Sequence, residues 1–290
     1  MTVETEDVYF HAGDGLKLHA LRAKAESARL PAICLPGISR TAEDFRALVA
    51  AFASGPSRGR SAWALDSRGR GLSERDRNPS NYSVPVELGD LIAFLRAMEI
   101  ERAIFVGTSR GGILTMALAP LMPNMIAGAV LNDIGPALEM RGLLRIKGYV
   151  GKIARPRSWP EAIASLQAVM AAHFPALSER DWEAYARQTW DDRFEPRSDP
   201  SISHAFDGID ASTPLPALWP QFDALAAAAP VLVLRGEHSD LLSRETVAEM
   251  KRRARVESIE IAGQGHAPML EDPKIIRAIL DFAAGCDPRE

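Results

Sequence analysis

Several short runs of this sequence are apolar from end to end. "AICL" at 32–35, "AWAL" at 62–65, "AIFVG" at 103–107, "IAGAVL" at 126–131 and "VLVL" at 231–234 lack the apolar–polar alternation of a half-exposed strand. Strands of this kind must be covered on both faces, and a mainly parallel sheet with helices on either side does that. Helix-patterned stretches separate them: 41–53, 84–99, 111–119, 244–254 and 272–284. An opening hairpin is predicted from "DVYFHA" and "LKLHALRA" around the turn Gly13-Asp14-Gly15, and an eighth strand from "VESIEIAG" at 256–263. The expected class is α/β, a mostly parallel eight-stranded sheet with helices on both faces.

The alternation stops near Asp133. From 135 to 216 the chain holds helical segments rich in aromatics, such as "PEAIASLQAVMAAHF" and "SERDWEAYARQTW", and no convincing strand. The expected organisation is a core formed by 1–134 and 217–290, with a helical block, 135–216, inserted between its halves. Trp159, Phe174, Trp182, Tyr185, Trp190, Phe194 and Phe206 give that block its apolar bulk; most are expected to pack, and a few to line a site.

Composition excludes several classes. A formal net charge of −4 offers no basic surplus for nucleic acid. Cys34 and Cys286 make no disulfide framework, which fits a reducing cytoplasm. The acidic N-terminus lacks the pattern of a signal peptide, and no apolar run is long enough to span a membrane. No metal-ligand spacing is present, and neither a metal nor a cofactor is expected. "DSRGRGLS" at 66–73 has Gly69 and Gly71 after a strand but Glu74 where a dinucleotide-binding loop needs its third glycine; a structural turn is the better reading.

The chemistry centres on Gly107-Thr108-Ser109-Arg110-Gly111. This G-x-S-x-G follows a predicted buried strand and opens a predicted helix, the context in which the pattern has meaning. The chain must reverse within a few residues, which leaves no room for side chains at the two glycines. The Arg110 amide then sits at a helix N-terminus, where an oxyanion beside Ser109 would be stabilised. A serine nucleophile needs a base. Of six histidines, His266 alone sits in a glycine-containing loop after the last predicted strand, where a side chain can reach the carboxyl edge of the sheet. The base needs an acid. Asp240, in the loop after 231–236, is the expected partner; Asp133, at the end of the preceding strand, is the rival.

Together, "LPGIS" at 35–39, "DSRGRGLS", "GTSRGG" at 107–112, "RGEHSD" at 235–240 and "GQGHAP" at 263–268 resemble the α/β-hydrolase superfamily, in its branch with a helical cap after the sixth strand. The resemblance implies Ser109 as nucleophile, His266 as base and then acid, Asp240 as its partner, and the Ile38 and Arg110 amides as the oxyanion hole. Pro36-Gly37 stands where many relatives carry His-Gly. The donor is a main-chain N–H, so the hole survives, and Arg40 is a candidate brace for its loop. The implied function is hydrolysis of a carboxylic ester or lactone of a small, largely apolar substrate through an acyl-enzyme. Carbon–carbon bond hydrolysis of diketone-type acids is the alternative, and a slow-turnover ligand receptor comes from another class.

Overall fold

A computed structural model describes residues 3–54 and 59–288. The strands, in chain order, are β1 (Thr5–His11), β2 (Lys17–Ala23), β3 (Ala32–Leu35), β4 (Ala62–Asp66), β5 (Ala103–Thr108), β6 (Ile126–Asn132), β7 (Val231–Gly236) and β8 (Val256–Ile261). They form one sheet in the order β1-β2-β4-β3-β5-β6-β7-β8. β1 pairs antiparallel with β2, and β2 antiparallel with β4; every later pairing is parallel.

Successive side chains of a strand point to opposite faces. In β5, Phe105 joins one buried cluster while Ile104 and Val106 join the other; in β7, Val231 and Val233 divide in the same way from Leu232 and Leu234. Both faces are therefore core, which is why these runs are apolar throughout. α1 (Arg46–Ala53) and α9 (Pro273–Gly285) cover one face. α2 (Val84–Ala97), α3 (Arg110–Leu118), α7 (Trp219–Ala228) and α8 (Arg244–Arg253) cover the other. β8 differs: as the last strand of the sheet it exposes Glu257, Ile259 and Glu260, and charges there suit an edge that must not pair with another chain.

Between β6 and β7 lie α4 (Met140–Tyr149), α5 (Trp159–Met170) and α6 (Glu179–Thr189). Leu166, Met170, Phe174, Trp182 and Trp190 form an apolar nucleus within this block. No helix among the described residues is long and apolar enough to cross a membrane.

The topology locates the site. From β3 the chain crosses to β4 on one side; from β5 it crosses to β6 on the other. Loops leaving the carboxyl ends of β3 and β5 therefore diverge and open a crevice between them. The loop after β3 carries Ile38, and the turn after β5 carries Ser109.

Candidate active site

Ser109 is the N-cap of α3, with φ 50° and ψ −111°, a left-handed conformation unusual for a side-chain-bearing residue. Its N–H donates to the Asn132 carbonyl at 3.0 Å, and its own carbonyl accepts from the Gly112 N–H at 2.9 Å. The neighbouring glycines make the turn possible. A Cβ on Gly107 would lie 2.5 Å from the Gly112 nitrogen, and one on Gly111 would run into the Leu35 carbonyl of β3.

His266 Nε2 lies 2.9 Å from Ser109 Oγ. On the other side of the ring, Nδ1 lies 2.9 Å from Asp133 Oδ2. A carboxylate can only accept, so Nδ1 carries the proton and Nε2 faces the serine as an acceptor. His266 is 5 % exposed and Asp133 fully buried. An unpaired carboxylate there would be costly. Asp133 instead accepts from the Gly236 N–H at 2.7 Å through Oδ1, and from the Ser239 hydroxyl at 2.5 Å through Oδ2 beside the imidazole. Its backbone also has positive φ, 54°, a region aspartate tolerates better than most residues. Asn132 donates to Thr108 Oγ1 at 3.0 Å and to the Pro268 carbonyl at 2.9 Å, tying the histidine loop to the turn that holds the serine.

Asp240, the expected partner of His266, makes no hydrogen bond to it. Both its oxygens are taken by Arg145 of α4, through Nε at 2.6 Å and Nη2 at 2.8 Å, with His173 Nε2 3.9 Å away. Burial pushes the Asp240 carboxyl up, but the Arg145 donors outweigh it and hold the group below its ordinary range. The aspartate that meets the imidazole is the rival, Asp133.

Ile38 and Arg110 lie on either side of the serine. The Ile38 loop comes close enough that a Cβ on Gly37 would touch Ser109 Cβ at 3.8 Å. Neither the Ile38 nor the Arg110 main-chain N–H donates to an acceptor among the described residues, so both are available to a ligand oxygen.

These groups line a cleft of about 690 Å³, its open mouth included. The inserted helices supply Ile146, Tyr149, Tyr185 and Gln188 to its walls. Tyr185 is the one of the seven expected aromatics that lines it. Phe174, Trp182 and Trp190 pack in the insert's own nucleus, Phe206 joins the main core, and Trp159 meets Phe194 edge-on with ring centres 5.0 Å apart. Tyr149 had no signal in the sequence. Ser239 stands beside Asp240 in the sequence, but only the fold turns its hydroxyl to Asp133. Burial pushes the Tyr149 phenol up to about 12, so it stays protonated at neutral pH. His204 is exposed and paired with Asp207. Arg40 is not free in solvent: it binds Asp44 through two bonds of 2.6 and 2.9 Å, donates to Gln188 at 2.7 Å, and lies 3.9 Å from the Tyr185 ring centre. No cluster of His, Cys, Asp and Glu among the described residues could hold a metal ion.

A model described as "Alpha/beta hydrolase family" matches residues 32–279. The chain is 33% identical over 266 residues to a 3-hydroxybutyrate-oligomer hydrolase of Cupriavidus necator, covering 87% of this chain and 88% of the relative. It is 26% identical to a 2-hydroxy-6-oxo-2,4-heptadienoate hydrolase of Pseudomonas putida, covering 80% and 81%. A crystal structure of an alpha/beta hydrolase from Novosphingobium aromaticivorans superimposes with a TM-score of 0.89 at 38% identity, over 98% of this chain and 99% of that one.

Proposed function

The chain belongs to the alpha/beta hydrolase family, and we propose that within it the protein is a serine hydrolase cleaving a carboxylic ester or lactone through an acyl-enzyme. The observation that carries this reading is the unbroken relay from Ser109 Oγ through His266 to Asp133, with both links at 2.9 Å. Ser109 Oγ attacks the carbonyl carbon while its proton passes to His266 Nε2. Asp133 holds the imidazolium through Nδ1–H and keeps its charge. The carbonyl oxygen, now an oxyanion, accepts from the Ile38 and Arg110 amides. Collapse expels the alcohol, which takes the Nε2 proton. Water then loses a proton to the same nitrogen and attacks the acyl carbon, releasing the acid and restoring the serine.

The relative named for 3-hydroxybutyrate oligomers makes a short hydroxyacyl ester the first substrate to try. The phenols of Tyr149 and Tyr185 and the Gln188 amide, on walls that also hold Ile146, Phe45 and Leu270, suit a small acyl group with a polar substituent. The relative named for a dienoate substrate favours a second reading, carbon–carbon hydrolysis, with the same residues. The free thiols Cys34 and Cys286 support the cytoplasmic setting.

Purified protein is tested on 3-hydroxybutyrate dimer, short p-nitrophenyl esters, lactones and a vinylogous diketone acid. Sustained ester turnover is expected, falling about 10⁴-fold or more in Ser109→Ala. Preference for the diketone would replace the ester reading with the second one. A single burst followed by a stall would point to a receptor.

A further inference from the structure

The "DSRGRGLS" turn, which the reaction itself leaves without a role, reaches the loop that carries Ile38. Gly69 and Gly71 have positive φ, 72° and 56°, and a Cβ on either would collide, with the Tyr82 ring or the Asp66 carboxylate. This tight turn sends the Arg70 side chain inward, where it is 1 % exposed. Arg70 Nε donates to the Ile38 carbonyl at 2.8 Å. Its Nη1 donates to the Arg68 carbonyl at 2.6 Å and to Glu87 Oε1 at 2.9 Å. The other Glu87 oxygen accepts from Arg110 Nε at 2.8 Å. One buried carboxylate therefore joins the guanidinium that grips Ile38 to the guanidinium of the residue following Ser109.

We propose that Arg70 and Glu87 are positioning residues that hold the two halves of the oxyanion hole, the Ile38 and Arg110 amides, at a set separation. The inference rests on the serine-hydrolase reading. Its physical basis is peptide planarity. The Ile38 N–H shares a plane with the Gly37 carbonyl, which accepts from the Arg40 N–H at 3.1 Å. The Ile38 carbonyl lies in the next plane, held by Arg70. With both planes tethered, the direction of the Ile38 N–H is set before substrate arrives, as electrostatic preorganisation requires. The turn is anchored from above as well: Gly71 N–H donates to the Arg197 carbonyl, and Asp199 N–H to the Gly69 carbonyl, both at 2.7 Å. Burying the charged side chains of Arg70 and Glu87, with Arg110 partly covered beside them, is a poor way to gain stability alone, since apolar residues would do as well. Burial pushes the Glu87 carboxyl up, but Arg70 and Arg110 overcome it and hold the group below its ordinary range, so the clamp is ionised at working pH.

The test measures the rate at which a fluorophosphonate labels Ser109, and kcat and KM on p-nitrophenyl acetate, well below the Tm of each variant. Phosphonylation places an oxygen in the same hole and needs no knowledge of the natural substrate. Arg70→Met is expected to slow labelling and lower kcat together by about tenfold or more, less than the loss of a whole donor, with KM within about twofold. Glu87→Gln is expected to fall between that variant and wild type. A merely structural Arg70 would lower Tm and leave labelling rate and kcat within about twofold of wild type, and that result overturns the proposal. Should Arg70→Met fail to fold, Arg110→Gln decides. Its side chain lies on the outer side of the clamp, and about a threefold loss of labelling rate is expected, an unchanged rate being fatal. Wild-type protein that takes no label at Ser109 overturns the serine-hydrolase reading as well; normal wild-type labelling with an unaffected Arg70→Met overturns the clamp alone.

Discussion

Two aspartates stand just beyond the carboxyl ends of adjacent parallel strands, Asp133 after β6 and Asp240 after β7, and their fates differ. Asp133 is fully buried and spends its oxygens on His266, Ser239 and Gly236. Asp240 spends both of its oxygens on Arg145, which comes from the inserted helices. One aspartate serves the core and its histidine; the other fastens the insert to the core. Position at the end of a strand thus makes a carboxylate available, and the donors that reach it first assign its use.

The largest test of that contrast is Asp133→Asn against Asp240→Asn. Loss of the Asp133 charge should leave the histidine in the wrong tautomer and lower kcat by about 10⁴-fold, with Asp240→Asn within about tenfold of wild type. Equal losses, measured by steady-state kinetics on one ester, would erase the distinction. Next comes Arg145→Met, which leaves the Asp240 carboxylate buried without its partner. A stability loss of about 2–4 kcal/mol is expected in denaturant unfolding, since breaking a buried pair costs more than the pair contributes. A smaller effect belongs to Ser239→Ala, which removes one donor from Asp133. About 1.5 kcal/mol of stability and less than tenfold in kcat are expected, at the low end for one hydrogen bond to a charged group.

The last test is pH. The folded Asp240 carboxyl titrates below its ordinary 3.8, so its contribution is complete above that value and is lost as pH falls through the lower, folded one. The stability gap between wild type and Asp240→Asn should therefore hold from pH 7 down to about 5 and narrow below 3.8 in denaturant midpoints measured at each pH. A gap that widens in acid would mean that the Arg145 pair does not govern this carboxyl.

Much of this molecule is legible along the chain. Strands buried on both faces announce themselves because each residue must be apolar whichever way it points, as in β3, in 103–107 of β5 and in 231–234 of β7. The turn at Ser109 is legible because Gly107 and Gly111 answer contacts within a few residues or with the adjoining strand. His266 is legible from its loop after the last strand. The acid is not. Both Asp133 and Asp240 fall between Ser109 and His266, so chain order cannot separate them. The separation lies in the Gly236 amide and Ser239 hydroxyl on one side and Arg145 on the other. Tyr149 and Arg70 were hidden for the same reason: nothing local distinguishes a phenol that faces the cleft, or a guanidinium turned inward, from others on the surface.

Local rules, then, account for the sheet, the strained serine and the family. Steric limits on the backbone and the exclusion of water from both faces act over a few residues and leave their mark in the residue types themselves. Which carboxylate meets the imidazole, and which guanidinium grips the Ile38 carbonyl, came from packing. A hydrogen bond forms over less than about 3.5 Å, so a choice between carboxylates 133 and 26 residues from His266 along the chain is made by how the loops and the inserted helices settle on the sheet.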